Sequence, residues 1–157
     1  MKTPSKKATL LFLTKGDEIL LAMKKRGFGV GRWNGVGGKP DGDETIEQTA
    51  IRECSEEIMV TPLDIKQVAT LDFHFPTDKS DWDQQVIVYL CPKWDGEPTE
   101  TEEMKPQWYK KSEIPYEKMW KDDKYWLPEV IDGKFVDAEF VFDDNDSVIA
   151  HSVRSKP

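Results

Sequence analysis

The sequence predicts a single α/β domain spanning residues 1–157, and three observations support that reading. The length suits one domain and suffices to close a core around a mixed sheet. Strand-length apolar runs such as "ATLLFL" and "QQVIVYLCPKW" recur between clusters of Gly, Pro and Asp. Between them, Glu44–Met59 has the spacing of a helix, with neither Gly nor Pro before Pro62. No internal repeat, low-complexity tract or linker divides the chain.

The first two runs, "ATLLFL" and "EILLAMKK", flank the turn-rich "TKGD" and read as a β-hairpin. "RGFGVGRWNGVGGKPDGD" follows, holding seven of the chain's ten glycines. So many glycines serve either several left-handed turns or a close approach of backbone to some other group. Thr45 and Gln48 then have the spacing of a capping box at the start of the helix. "IKQVATLDFHF" is strand-like, and "QQVIVYLCPKW" has the continuous apolar character of a buried central strand. After the polar loop "DGEPTETEEMKP", "QWYKKSEIP" predicts a short strand and turn. "YEKMWKDDKYWLPEVID" predicts a second helix, and "KFVDAEFVFDD" with "SVIAHSVR" a closing hairpin.

Thirty acidic residues against 22 basic ones give a net charge of −8 and a pI near 4.9. Such a surface repels polynucleotide phosphates and argues against a DNA or RNA partner, although a bound cation would still admit a small anionic substrate. The N-terminal apolar run is too short for a signal peptide and lacks a small-residue cleavage pattern. No run approaches the ~18 apolar residues of a membrane span. Cys54 and Cys91 stand far apart with no CxxC pattern, which argues against a disulfide framework or structural zinc and favours a reducing, cytoplasmic setting. His74 and His151 have no evident partners and read as structural.

The candidate chemistry lies in "ETIEQTAIRECSEEIM". Glu53, Glu56 and Glu57 fall within an arc of roughly 100° on one helical face, beside an apolar stripe of Ile51, Cys54 and Ile58. The acidic face therefore borders the buried one. Two readings fit: a solvated face with an Arg52–Glu56 ion pair, or carboxylates gathered for a divalent cation such as Mg²⁺.

Spacing separates them. From Gly38 the chain reads five residues, Glu44, seven residues, then Arg52-Glu53-Cys54-Ser55-Glu56-Glu57. This resembles the Nudix box, G-x5-E-x7-R-E-U-x-E-E-x-G-U, where U is apolar. The resemblance implies the Nudix fold, a mixed sheet sandwiched between helices, and hydrolysis of a nucleoside diphosphate linked to a further group. The main departure is Met59, which stands where the box has glycine; Cys54 at the first U position is a milder one, since free Cys behaves as a small apolar residue. The helix must then end differently, or accept roughly 1–2 kcal/mol of left-handed strain.

Beyond the box, "MKKRGFGVGRWNGVGGK", "EEMKPQWY" and "IPYEKMWKDDKYWLP" resemble the MutT-homologue branch of that family, weakest over Phe75–Gln85 and the last hairpin. That branch implies conversion of 8-oxo-dGTP, 2-hydroxy-dATP and related purine triphosphates to monophosphate and pyrophosphate. It assigns metal binding, by Mg²⁺ or Mn²⁺, to Glu53, Glu56, Glu57, Glu103 and the Gly37 carbonyl. Those glutamates and Arg52 form the expected catalytic set, with Arg52 orienting the others; the general base stays open among Glu53, Glu57 and Glu103. Base recognition falls to Asn34, Asp122 and Asp123, with Trp120 packing on the purine. Thr9, Lys24, Phe28, Val36, Gly38, Lys39 and Phe73 match other substrate-binding positions, as does Lys121, where the branch has Pro. Adjacent aspartates beside aromatic groups should raise one carboxyl pKa and so supply a neutral donor next to an acceptor. A fold of this length suffices as a monomer, although exposed aromatics could support a dimer; the expected partner is a small nucleotide, in the cytoplasm or in nuclear or mitochondrial pools. Two rivals remain: hydrolysis of a dinucleoside polyphosphate or ordinary NTP, and a non-catalytic nucleotide sensor.

Overall fold

A computed structural model describes residues 2–157. Its strands are β1 (Lys7–Lys15), β2 (Glu18–Lys24), β3 (Trp33–Asn34), β4 (Thr61–His74), β5 (Gln84–Asp95), β6 (Met104–Lys110), β7 (Phe135–Phe142) and β8 (Val148–Lys156); its helices are α1 (Ile46–Ile58) and α2 (Asp123–Ile131). The strands follow the order β3-β2-β1-β5-β4-β7-β8, with β6 on β2. The sheet is mixed: β1 runs parallel to β5 and β4 to β7, while β4–β5 and β7–β8 are antiparallel.

Period-2 alternation divides the core between the two faces of the sheet. Ala8 and Phe12 of β1, Ile19 and Leu21 of β2, and Val86 and Val88 of β5 pack toward Trp126, Leu127 and Val130 of α2. Their neighbours Leu11, Leu13, Leu20, Ala22, Ile87 and Cys91 pack toward Ala50, Cys54 and Ile58 of α1. Both cysteines are free and buried, and burial pushes the Cys54 thiol up to about 12. No helix among the described residues is long and apolar enough to cross a membrane.

The expected β1–β2 hairpin forms, but its strands pair only beside the turn, Thr14 with Ile19 and Lys15 with Glu18. They then separate. β2 continues against β3 and β6, while β1 continues against β5, and the gap between them becomes the cleft described below.

The α1 capping box is present, with Gln48 N–H donating to Thr45 Oγ1 at 3.1 Å and Thr45 N–H to Gln48 Oε1 at 2.9 Å. At the other end Met59 itself adopts the left-handed conformation (φ 62°, ψ 36°), its N–H donating to the Ser55 carbonyl at 3.0 Å. The helix thus ends where a glycine would end it, and the strained alternative is the one adopted. The loop after β5 holds this terminus: Thr99 N–H donates to the Ile58 carbonyl at 3.0 Å. Gly96 lies so close that a Cβ there would stand 2.9 Å from the Met59 carbonyl oxygen.

The second helix is shorter than the sequence predicts. A 3-10 turn, Tyr116–Lys118, is followed by extended Met119, and α2 begins only at Asp123. Met119 is buried in the core while Trp120 lines the cleft. A second 3-10 segment, Thr77–Trp82, joins β4 to β5 where no element was expected.

Met59 is 61% exposed, so little packing depends on it. Met59→Gly should relieve roughly 1–2 kcal/mol of left-handed strain and lose about 0.5–1 kcal/mol to backbone entropy. Thermal unfolding should therefore show a midpoint higher by about 1–4 °C; a lower midpoint would show that the strain is absent.

Candidate active site

The glycine-rich loop fills the gap between β1 and β2. Leu11 and Val36 exchange backbone hydrogen bonds at 2.6 and 3.0 Å, and Thr9 N–H donates to the Gly38 carbonyl at 2.8 Å. Two glycines make this seat feasible. A Cβ on Gly37 would stand 1.8 Å from the Thr9 carbonyl oxygen, and one on Gly38 would stand 2.5 Å from the Glu53 carboxyl carbon. The loop backbone is therefore in contact with β1 on one side and with α1 on the other.

Arg52 organises the acidic end of the cleft. Its Nε and Nη2 donate to Glu44 at 2.7 and 3.0 Å, and its Nη1 to Glu53 at 2.9 Å and Glu56 at 3.2 Å. Nη2 also donates to the Lys39 carbonyl at 3.1 Å, which fastens the loop to the helix. The guanidinium holds the Glu44 carboxyl down at about 2. Glu57 is differently placed: it is buried, and it accepts the Gly37 N–H at 3.0 Å. Burial, with the nearby charges of Glu53 and Glu103, pushes it up to about 8, and the Glu53 and Glu57 carboxyls lie within hydrogen-bonding reach.

Among the described residues no three acidic, His or Cys side chains converge as a ready-made ligand set. Glu53 and Glu56 are turned to Arg52, Glu57 to Gly37, and Glu103 to Arg26 at 3.4 Å. The chemistry of the donors nonetheless fits a divalent cation. Two carboxylates sharing a partly buried space repel unless a proton or a cation joins them, and both have oxygen donors suited to Mg²⁺.

The cleft encloses about 230 Å³. Its lining includes Thr9, Lys24, Phe28, Asn34, Gly37, Gly38, Lys39, Glu57, Phe73, Trp120, Asp122 and Asp123, a large part of the set expected from sequence. Asn34 Oδ1 accepts the Gly35 N–H at 2.8 Å, which fixes the side chain and leaves its amide donors without a partner among the described residues. Asp122 and Asp123 are both buried at the start of α2. Trp126 Nε1 donates to Asp122 Oδ2 at 2.8 Å, whereas Asp123 Oδ2 has no partner. Burial pushes Asp122 up to about 6; burial and the Asp122 charge push Asp123 well above its ordinary value. The pair thus retains a proton, as its sequence setting predicts.

Two expected substrate-binding residues lie elsewhere. Val36 is buried in the core on the α1 face, because its exchange of hydrogen bonds with Leu11 continues the strand alternation and turns its side chain away. Lys121 lies behind Trp120, outside the cleft lining, with Nζ donating to Ser147 Oγ at 2.9 Å. Other lining residues were missed: Arg32, Phe75, Gln84, Met104 and Phe142. Phe75 follows Phe73 by two along the chain, and that period-2 signal would have revealed it. Nothing in the sequence marks Arg32, whose guanidinium lies 4.0 Å from the centre of the Trp120 ring. Of the histidines, His74 is buried near Asp83 and His151 stacks on Tyr125.

A cleft with an Arg52-clamped glutamate row at one end and a proton-sharing aspartate pair among its aromatics belongs to a known class. The NUDIX domain profile matches residues 4–130, and the chain is a member of the Nudix hydrolase family. Such hydrolases generally work with a divalent cation. In particular, the chain is 40% identical over 146 residues to an oxidized purine nucleoside triphosphate hydrolase of Mus musculus, covering 93% of this chain and 92% of that one. It is 38% identical over 149 residues to the protein of that name from Danio rerio, covering 95% and 94%. A crystal structure of a MutT protein from Bacillus halodurans superposes with a TM-score of 0.83 over 94% of this chain and 97% of that one. At 22% identity, it shows a shared fold.

The aspartate pair makes stability depend on pH. Both folded-state values are raised above the ordinary 3.8, so their stabilising effect is complete below that pH and is lost as pH rises through the folded values. Asp123→Asn keeps the neutral shape and removes one of the two losses. Denaturant unfolding should show the variant gaining on wild type as pH rises from ~4 to ~7. A difference that does not change with pH would show that Asp123 ionises normally.

Proposed function

We propose that this enzyme hydrolyses purine nucleoside triphosphates with oxidised or otherwise modified bases, 8-oxo-dGTP and 2-hydroxy-dATP among them, to monophosphate and pyrophosphate. In this reading it acts as a single-domain monomer with Mg²⁺ and clears damaged precursors from the nucleotide pool. The observation that carries the reading is the buried Asp122–Asp123 pair, with one unpartnered oxygen, lining the same cleft as Glu57. A purine edge offers both donors and acceptors, and a carboxyl next to a carboxylate can exchange those roles to read an oxoguanine or an oxoadenine. The two relatives' names support the same substrate class.

Glu53, Glu56, Glu57, Glu103 and the Gly37 carbonyl would hold the cation, which when bound supplies charge neutralisation at the phosphates and a more acidic water. Arg52 orients Glu53 and Glu56, and the Gly37 N–H fixes Glu57. Lys24 and Lys39, both lining the cleft, bring positive charge toward the triphosphate. Asn34 and the aspartate pair orient the base, with Trp120 on its face. One glutamate takes the proton of the attacking water; Glu53, Glu57 and Glu103 are the candidates.

Pyrophosphate release should be measured over a panel of 8-oxo-dGTP, 2-hydroxy-dATP, O6-methyl-dGTP, unmodified purine triphosphates and a dinucleoside polyphosphate. Release should require a divalent cation and favour the modified purines. Glu57→Gln should lower kcat by about 10²-fold or more, and Arg52→Ala should weaken the cation requirement's midpoint by about 10–100-fold. Asp123→Asn should penalise some bases more than others, whereas an equal loss on all would remove the aspartate pair from base reading. Preference for unmodified or dinucleoside substrates would overturn the substrate class, and tight binding with no turnover would indicate a sensor.

A further inference from the structure

A closed ring of contacts encircles the aromatic mouth of the cleft, and it begins and ends in the turn between β7 and β8. Phe28 sits between two tryptophans, with ring centroids 5.0 Å from Trp120 and 4.6 Å from Trp82. Each tryptophan carries a cation over its ring: Arg32 lies 4.0 Å from the Trp120 centroid and Lys79 lies 5.9 Å from the Trp82 centroid. Each cation is in turn held by an acid of the turn, Arg32 by Asp146 at 3.8 Å and Lys79 by Asp144 at 3.7 Å. The turn is itself internally braced. Asp143 Oδ1 accepts the Asn145 and Ser147 N–H groups at 2.9 Å each, and Asp146 takes a left-handed φ of 59°. Ser147 Oγ adds a third link, accepting from Lys121 beside Trp120.

We propose that Asp144 and Asp146 are positioning residues for the base cleft, acting through Lys79 and Arg32 on the Trp82–Phe28–Trp120 aromatic wall. Three chain segments with no covalent reason to move together supply that wall: the glycine-rich loop, the 3-10 segment after β4, and the stretch before α2. The last hairpin reaches all three. Its acids place a cation on one face of each tryptophan, which fixes ring orientation by attraction to the ring quadrupole and leaves Phe28 wedged between them. Lys121 extends the same link to the segment that carries Trp120. Its place in the fold is thus on the outer side of the wall, away from the base.

The inference rests on the purine triphosphatase reading for its kinetic test and on the structure alone for its optical one. Asp144→Asn/Asp146→Asn should raise KM for 8-oxo-dGTP by about three- to tenfold with kcat within about twofold, since each exposed ion pair and cation–π contact is individually weak. The near-UV circular dichroism of the tryptophans should weaken without nucleotide, while the far-UV spectrum and Tm stay as in wild type. Asp146→Glu should restore KM and the near-UV signal. An unchanged near-UV spectrum, or a fall in kcat and Tm together, would overturn the inference. If wild type turns over no purine triphosphate, the substrate reading fails, and the near-UV comparison still decides whether the acids order the aromatic wall.

Discussion

The contact of two glycines with the elements on either side of them sets the geometry of the site. Gly37 lies against the Thr9 backbone and Gly38 against the Glu53 carboxylate, with no room for a side chain at either position. Because β1 and β2 separate after their turn, the loop can enter between them and complete β1 with its own backbone hydrogen bonds. That seat brings the Gly37 N–H to Glu57, the Lys39 carbonyl to Arg52, and Asn34 to the cleft. A side chain at Gly37 would drive the loop off the β1 backbone, and one at Gly38 would displace the Glu53 carboxylate from its place beside Arg52.

The two ends of the cleft treat like charges in opposite ways. At the α1 end the partly buried Arg52 guanidinium donates to Glu44, Glu53 and Glu56 and holds the Glu44 carboxyl well below its ordinary value. At the α2 end no cation reaches Asp123, and burial forces the Asp122–Asp123 pair to keep a proton. Carboxylates are thus compensated by a guanidinium at one end and partly neutralised by burial at the other. Glu57 lies between these regimes, buried like the aspartates yet hydrogen-bonded like a carboxylate.

Met59 shows how a departure from a family pattern can leave the helix that carries the glutamates in place. Its backbone accepts the left-handed turn that a glycine would take freely, and the loop around Gly96 and Thr99 braces the strained terminus. The cost falls on stability at one exposed position beyond the glutamates, so the acidic row of α1 keeps its register.

The sequence by itself determined what depends on local chemistry and regular spacing. The strands, the α1 capping box, the acidic face of α1 and the Arg52–glutamate grouping were all legible, because period-2 and period-3.6 patterns act over a few residues. The pocket aspartates and Asn34 were legible through resemblance to a family, and their setting also predicted a raised carboxyl pKa. What only the tertiary structure decided were matters of direction and of distant contact. Val36 turns into the core because it continues the alternation of β1, a strand far away in the chain. Helix α2 starts late, after a 3-10 turn and an extended Met119 that packs into the core, with Trp120 lining the cleft. Arg32 caps Trp120 and Lys121 faces Ser147 because the last hairpin folds back over the cleft mouth. Such contacts join residues distant in the chain, Arg32 and Trp120 among them, and no local pattern encodes them; they exist only once the sheet has closed.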